Sequence, residues 1–214
     1  MEITHLGHSS FKLRGKNATL VTDPYDPIFV GIKFPKVEAD IVTVSHQHKD
    51  HNFTQAVGGN PLVIVGPGEY EVKGVKIIGV SSYHDDVKGE KRGNNTVYHI
   101  EIDGVSVVHC GDLGHKFDEK EMELLNGTDI LILPVGGYYT IDAQIATGVV
   151  TQFEPKIVIP MHYLTSKMTK DEYANLSGVD EFLKAIGKPD TSAVPKLMVS
   201  SGKLPAEQTV VVLE

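Results

Sequence analysis

Residues 46–51 read His-Gln-His-Lys-Asp-His and follow directly on the β-branched run 40–45. Four imidazole or carboxylate side chains within six residues, at the end of a buried-type strand, constrain this chain more than any other feature. In extended backbone the side chains at i and i+2 point to the same side, so His46 and His48 can grip one cation. After a bend, Asp50 and His51 can face a second. One short segment supplies too few ligands for two ions. The fold therefore has to bring further donors to it from distant parts of the chain.

Three candidates stand where strands give way to loops, the usual address of site residues. His84 follows the run 75–80 in Ser-Ser-Tyr-His-Asp-Asp. Asp112 follows the run 105–109 in His-Cys-Gly-Asp, and His162 follows 156–159 in Ile-Pro-Met-His-Tyr. The chain holds ten histidines but one cysteine. Imidazole with carboxylate suits zinc, manganese or iron, and the lack of thiolates argues against a closed structural zinc site. The lone Cys110 excludes an internal disulfide and fits a reducing, cytoplasmic compartment. A net charge of −8 disfavours nucleic acid and anionic membrane surfaces as partners. Apolar runs such as 130–135 are far shorter than the roughly 18 residues that span a bilayer, and no basic–apolar–small leader pattern opens the sequence.

The 214 residues read as one domain, 1–214. Segments 10–13 and 18–22 flank a Gly15-Lys16-Asn17 turn and predict a hairpin. Buried-type strands are expected at 40–45, 62–65, 75–80, 97–102, 105–109, 130–133 and 156–159, with Asp103-Gly104 as a hairpin turn. Helices are expected over 116–125, from an Asp142 cap to about Phe153, and over 179–186. Two strands, 196–200 and 208–213, close the chain. Roughly twelve strands with about four helices predict an α/β (α+β) fold, two packed sheets with helices outside.

The ordered set His46-x-His48-x-Asp50-His51, His84, Asp112, His162 resembles the metallo-β-lactamase-fold superfamily. The resemblance implies an αββα sandwich of two mixed β-sheets with helices on the outer faces and a metal site at one edge. Leu6-Gly7-His8-Ser9-Ser10-Phe11, Thr22-Asp23-Pro24, the segment 133–142 and the segment 159–163 look like the zinc-dependent hydrolase branch that includes L-ascorbate-6-phosphate lactonase. It implies two divalent ions, zinc first, with manganese or iron as alternatives. His46, His48 and His84 would hold one ion, and Asp50, His51 and His162 the other, with Asp112 bridging. A metal-bound hydroxide would then attack a small ester, lactone or phosphodiester, with Asp50 orienting it or passing its proton. A nucleic-acid phosphodiesterase of the same fold and a metal-binding protein without turnover are the alternatives.

Three further residues are candidates around the ligands. In this superfamily the aspartate matching Asp23 supports the metal-binding loop, as an outer carboxylate orienting an imidazole would. His8 is a candidate substrate contact, and His115 a candidate for the mouth of the site or the cap of the next helix. Tyr138, Tyr139 and Tyr163 flank site loops and carry phenolic donors. His5, His99 and His109 are expected to do no chemistry. Loops 24–35 and 164–178 are expected to form the rim.

Overall fold

Two hydrophobic alternations decide the architecture. The first half supplies short strands with one face in a shared core, and the second supplies continuous β-branched runs that need cover on both faces. The computed structural model describes residues 1–168 and 170–214. Thr169, inside the loop expected at the rim, lies outside the described residues.

The first sheet runs in the order Leu197–Met198, Glu2–Gly7, Ser10–Arg14, Thr19–Thr22, Ile41–Val44, Leu62–Val65. Its hairpins are antiparallel, and Thr19–Thr22, Ile41–Val44 and Leu62–Val65 are parallel. The second sheet runs Thr209–Val210, Ile157–Met161, Ile130–Pro134, Val105–His109, Asn94–Ile102, Val75–Tyr83, Gly68–Val72. Its first four strands are parallel and the rest antiparallel. Both sheets are mixed, as expected.

Between them lies a core of Ile3, Phe11, Leu13, Leu20, Ile41, Ile77, Tyr98, Ile100, Ile132 and Ile159. The outer face of the second sheet packs Val108, Leu131, Leu133 and Val158 against Ala146 and Val149 of helix Ala143–Phe153 and Phe182 of helix Val179–Ala185. Asp142 caps the first of these helices by accepting from Ile145 N–H. The outer face of the first sheet is covered differently. Val21, Val42 and Val44 are roofed by Tyr25, Phe34, Tyr173 and Leu176, and the only α-helix there among the described residues is the single turn Pro27–Val30.

Some boundaries differ from expectation for identifiable reasons. The helix expected over 116–125 is confined to Glu119–Leu124, because Asp118 and Glu121 form a reciprocal capping box that starts it there. Leu62–Val65 was expected to be buried, but it is an edge strand: Ile64 enters the core while Leu62, Val63 and Val65 are exposed. The last run, 208–213, divides between Thr209–Val210 in the second sheet and Val212–Leu213, which pairs with Ala193–Val194.

Phe182 is fully buried against the helix-covered face. Phe182→Ala should cost about 3–5 kcal/mol, read as a lowered urea midpoint with an unchanged m-value.

Candidate metal centre

Every expected ligand leaves the carboxyl end of a strand. His46 to His51 follow Ile41–Val44, His84 follows Val75–Tyr83, Asp112 lies just beyond Val105–His109, and His162 follows Ile157–Met161. His8 and Asp23 follow Glu2–Gly7 and Thr19–Thr22 in the same way. The structure brings the ligand atoms into three overlapping groups, each within 4.8 Å: His46, His48 and His84; His46, His51 and Asp112; and His8, Asp50, His51 and His162. The backbone at 45–50 runs through bends and a turn rather than the extended chain assumed for His46 and His48, yet the two rings still lie 4.6 Å apart.

Asp112 is the hub. Its carboxylate lies 3.1 Å from His84 Nε2, 3.3 Å from both His51 Nε2 and His162 Nε2, and 3.9 Å from His46 Nε2. Burial would raise its pKa, but His162, His51 and His84 outweigh burial and hold it well below the usual carboxylate range. For His51, burial works against charge, while Asp112 and Asp50 prevail and push its pKa up. His46 shifts the other way, lowered by burial and by neighbouring His51.

Asp23 sets the direction of two of these rings. Its Oδ1 accepts Ser45 N–H at 2.8 Å, and its Oδ2 accepts the Ser45 hydroxyl at 2.6 Å and His51 Nδ1 at 2.9 Å. The single Ser45 hydroxyl proton goes to Asp23, so His46 Nδ1, 2.9 Å from Ser45 Oγ, must be the donor in that pair. Both imidazoles therefore carry a proton on Nδ1 and turn Nε2 inward.

Those inward atoms have no hydrogen-bond partner. His46 Nε2, His51 Nε2, His162 Nε2 and Asp112 Oδ1 are buried and unsatisfied. An isolated buried polar atom of this kind costs about 1–3 kcal/mol. Several converging on one small volume, with no thiolate among them, fit divalent cations of the zinc, manganese or iron type.

His8 joins the group more intimately than its sequence context indicates. It is buried, its Nε2 lies 3.2 Å from Asp50 Oδ2, and its ring centroid is 4.2 Å from that of His162. Burial, then His162, lowers its pKa to about 4. His5 supports it by donating to His8 O. His115 is placed elsewhere. Its Nε2 accepts Tyr83 N–H and its Nδ1 donates to Lys116 O, beside the rings of Tyr83 and Phe117. It does not line the cavity over the cluster, so the expectation of a place at the mouth is corrected. His109 is a packing residue, buried and bonded to Ser9 O.

Several contributors carried no readable signal. Asn95 Oδ1 accepts Asp112 N–H while its Nδ2 donates to Ser82 Oγ and Cys110 O. Gly111 sits at φ 55°, where a Cβ would lie 2.4 Å from Asn95 Oδ1 and 2.5 Å from Ser45 Cβ. Asp85 accepts four backbone N–H groups, from Val87, Gly89, Lys91 and Arg92, and so shapes the loop after His84. Against burial, these bonds lower its pKa to about 2. The cavity above the cluster holds about 430 Å³ and is walled by Phe29, Tyr139 and Tyr173, with Lys49, Lys91 and Arg92 at its side.

A domain model described as the β-lactamase superfamily domain matches residues 2–162. The chain belongs to that superfamily. A UPF0173 metal-dependent hydrolase of Thermococcus onnurineus is 33% identical over 198 residues, covering 77% of this chain and 85% of its own. A second such hydrolase, from Pelotomaculum thermopropionicum, is 31% identical over 232 residues, covering 92% and 96%. Within the superfamily the chain thus falls in the UPF0173 metal-dependent hydrolase family. Among solved structures, a Thermotoga maritima protein described as a candidate Zn-dependent hydrolase of the metallo-β-lactamase superfamily is 40% identical. It superposes with a TM-score of 0.81, covering 99% of this chain and 97% of that one.

Two outcomes follow from the supporting carboxylates. Asp23→Asn should weaken affinity for added zinc about 10–100-fold, measured by competition with a chelating indicator. Asp85→Asn should cost about 2 kcal/mol at pH 7, because bonds to a charged acceptor are lost. The folded pKa of Asp85 lies below the ordinary value of 3.8. The wild-type advantage is therefore complete above pH 4 and disappears as the pH falls through about 2, which paired urea titrations would show.

Proposed function

We propose that this chain is a dinuclear metal-dependent hydrolase, with zinc the first choice of ion, acting on a small ester, lactone or phosphodiester. The observation that carries the reading is the convergence of seven donors from four strand ends, with the inward atoms of His46, His51, His162 and Asp112 unpartnered. His46, His48 and His84 would hold one ion and Asp50, His51 and His162 the other, with Asp112 between them. When bound, the ions would supply Lewis acidity toward the scissile group and acidify water at the site.

The chain's own residues would do the rest. Asp50 Oδ2 is engaged by His8 Nε2, which leaves Oδ1 to orient the attacking water and accept its proton. Asp112 would offset positive charge at the centre of the site. Arg92 donates to Tyr138 O and lies over the Tyr139 ring, 5.7 Å from its centroid. With Lys49 and Lys91, which line the same cavity, it supplies cationic groups that suit a substrate bearing negative charge. A cavity of about 430 Å³ is of a size for small molecules. A single, fully buried cysteine agrees with a cytoplasmic setting.

Elemental analysis of protein purified without added metal, followed by hydrolysis assays before and after chelation, tests the reading. Two equivalents of transition metal are expected, with activity lost on chelation and restored by zinc. Metal-free protein whose activity survives chelation would overturn it.

A further inference from the structure

Tyr173 holds a hydroxyl that the fold has left without a partner. Its ring is buried in the cluster that roofs the first sheet. Buried phenols ordinarily find an acceptor, and others here do: Tyr25 donates to Leu6 O at 2.8 Å, and Tyr98 to Val44 O at 2.9 Å. Among the described residues Tyr173 Oη has none. The residue lines the same cavity as Asp50, Asp112 and His162, and its ring packs edge-on against that of His8 at 5.5 Å.

This placement is held from several sides. Tyr173 ends the turn Asp171–Tyr173, and its N–H donates to Lys170 O. Tyr139, on the neighbouring wall, donates its own hydroxyl to Glu172 O at 2.8 Å. The hydroxyl is thus an unpartnered donor on a side chain that lines the cavity together with Asp50, Asp112 and His162. Burial, reinforced by Asp50, raises its pKa, so it is neutral and protonated in the working range.

We infer that Tyr173 donates a hydrogen bond from Oη to the substrate oxygen that gains negative charge when the scissile group is attacked. The inference rests on the hydrolase reading and adds a residue to it. As water adds to a carbonyl carbon, a carbon–oxygen bond forms and the C=O π pair moves onto the carbonyl oxygen. Tyr173 would stabilise that charge while keeping its own proton, and the proton of the attacking water passes to Asp50 Oδ1. For a phosphodiester the acceptor is a non-bridging oxygen. A donor preorganised in a dry wall stabilises such charge more than water does, because it need not reorient.

The test uses the zinc-loaded protein and Tyr173→Phe, which keeps the ring and deletes only the hydroxyl. Inorganic phosphate stands in for the tetrahedral oxyanion and is titrated calorimetrically. We expect unchanged zinc content and thermal midpoint, with phosphate binding weakened about 10-fold or more. On p-nitrophenyl acetate and bis(p-nitrophenyl) phosphate, kcat should fall with little change in KM. Equal phosphate affinity in both proteins, absence of phosphate binding to the wild type, or loss of zinc from the variant would each overturn the inference. Should the variant fail to fold, a crystal structure of zinc- and phosphate-loaded wild type decides, with Oη about 3 Å from a phosphate oxygen expected and no contact as the contrary result. Failure of the hydrolase reading has a separate signature: zinc and Tyr173-dependent phosphate binding with neither ester turned over.

Discussion

The candidate site depends on one buried carboxylate. Asp23 fills its acceptors with Ser45 N–H, the Ser45 hydroxyl and His51 Nδ1. It thereby ties two parallel strand ends together and settles which nitrogen of two imidazoles faces inward. Burial alone would raise its pKa, but the bond to His51 together with the nearby His51, His109 and His46 outweighs burial and lowers it. An anion can be kept in so dry a place only because each bond it accepts is also needed by the donor. The inward nitrogens, and hence the capacity to hold cations, follow from that arrangement.

The site is unusual in its balance of charge. The chain as a whole is acidic, at −8, yet its cleft gathers five imidazoles from the expected ligand set and a sixth from His8 around two carboxylates. Lys49, Lys91 and Arg92 add positive charge at the wall.

Much of this was legible because strand ends reveal themselves. A β-branched run followed by His or Asp marks both the element and the residue it presents, and His46, His84, Asp112 and His162 were all readable that way. What escaped depends on convergence. Asn95 lies within a strand and looks like any polar strand residue until Asp112 N–H is seen to need it. Tyr173 sits in a loop whose packing on the first sheet has no periodic signature. His115 has the spacing of a site residue, yet its hydrogen bonds to Tyr83 and Lys116 hold it away from the cleft. The exposed face of Leu62–Val65 was hidden because an apolar strand reads alike at the centre and at the edge of a sheet.

His8, Asp23 and His162 all adopt left-handed backbone at φ 53°, 40° and 50°, and Tyr138 on the rim does so at 55°. Such conformations in residues with side chains cost of order 1–3 kcal/mol each and persist only where the surroundings over-determine them. Three of the four fall immediately after a strand whose ladder is already complete. The sheets therefore act as a clamp that forces the chain to turn sharply at its exits. The loops that leave Asp23 and His162 then supply Phe29, Glu172 and Tyr173 to the cavity wall. The sheets thus fix the candidate ligands, while separate stretches of chain shape the cavity above them.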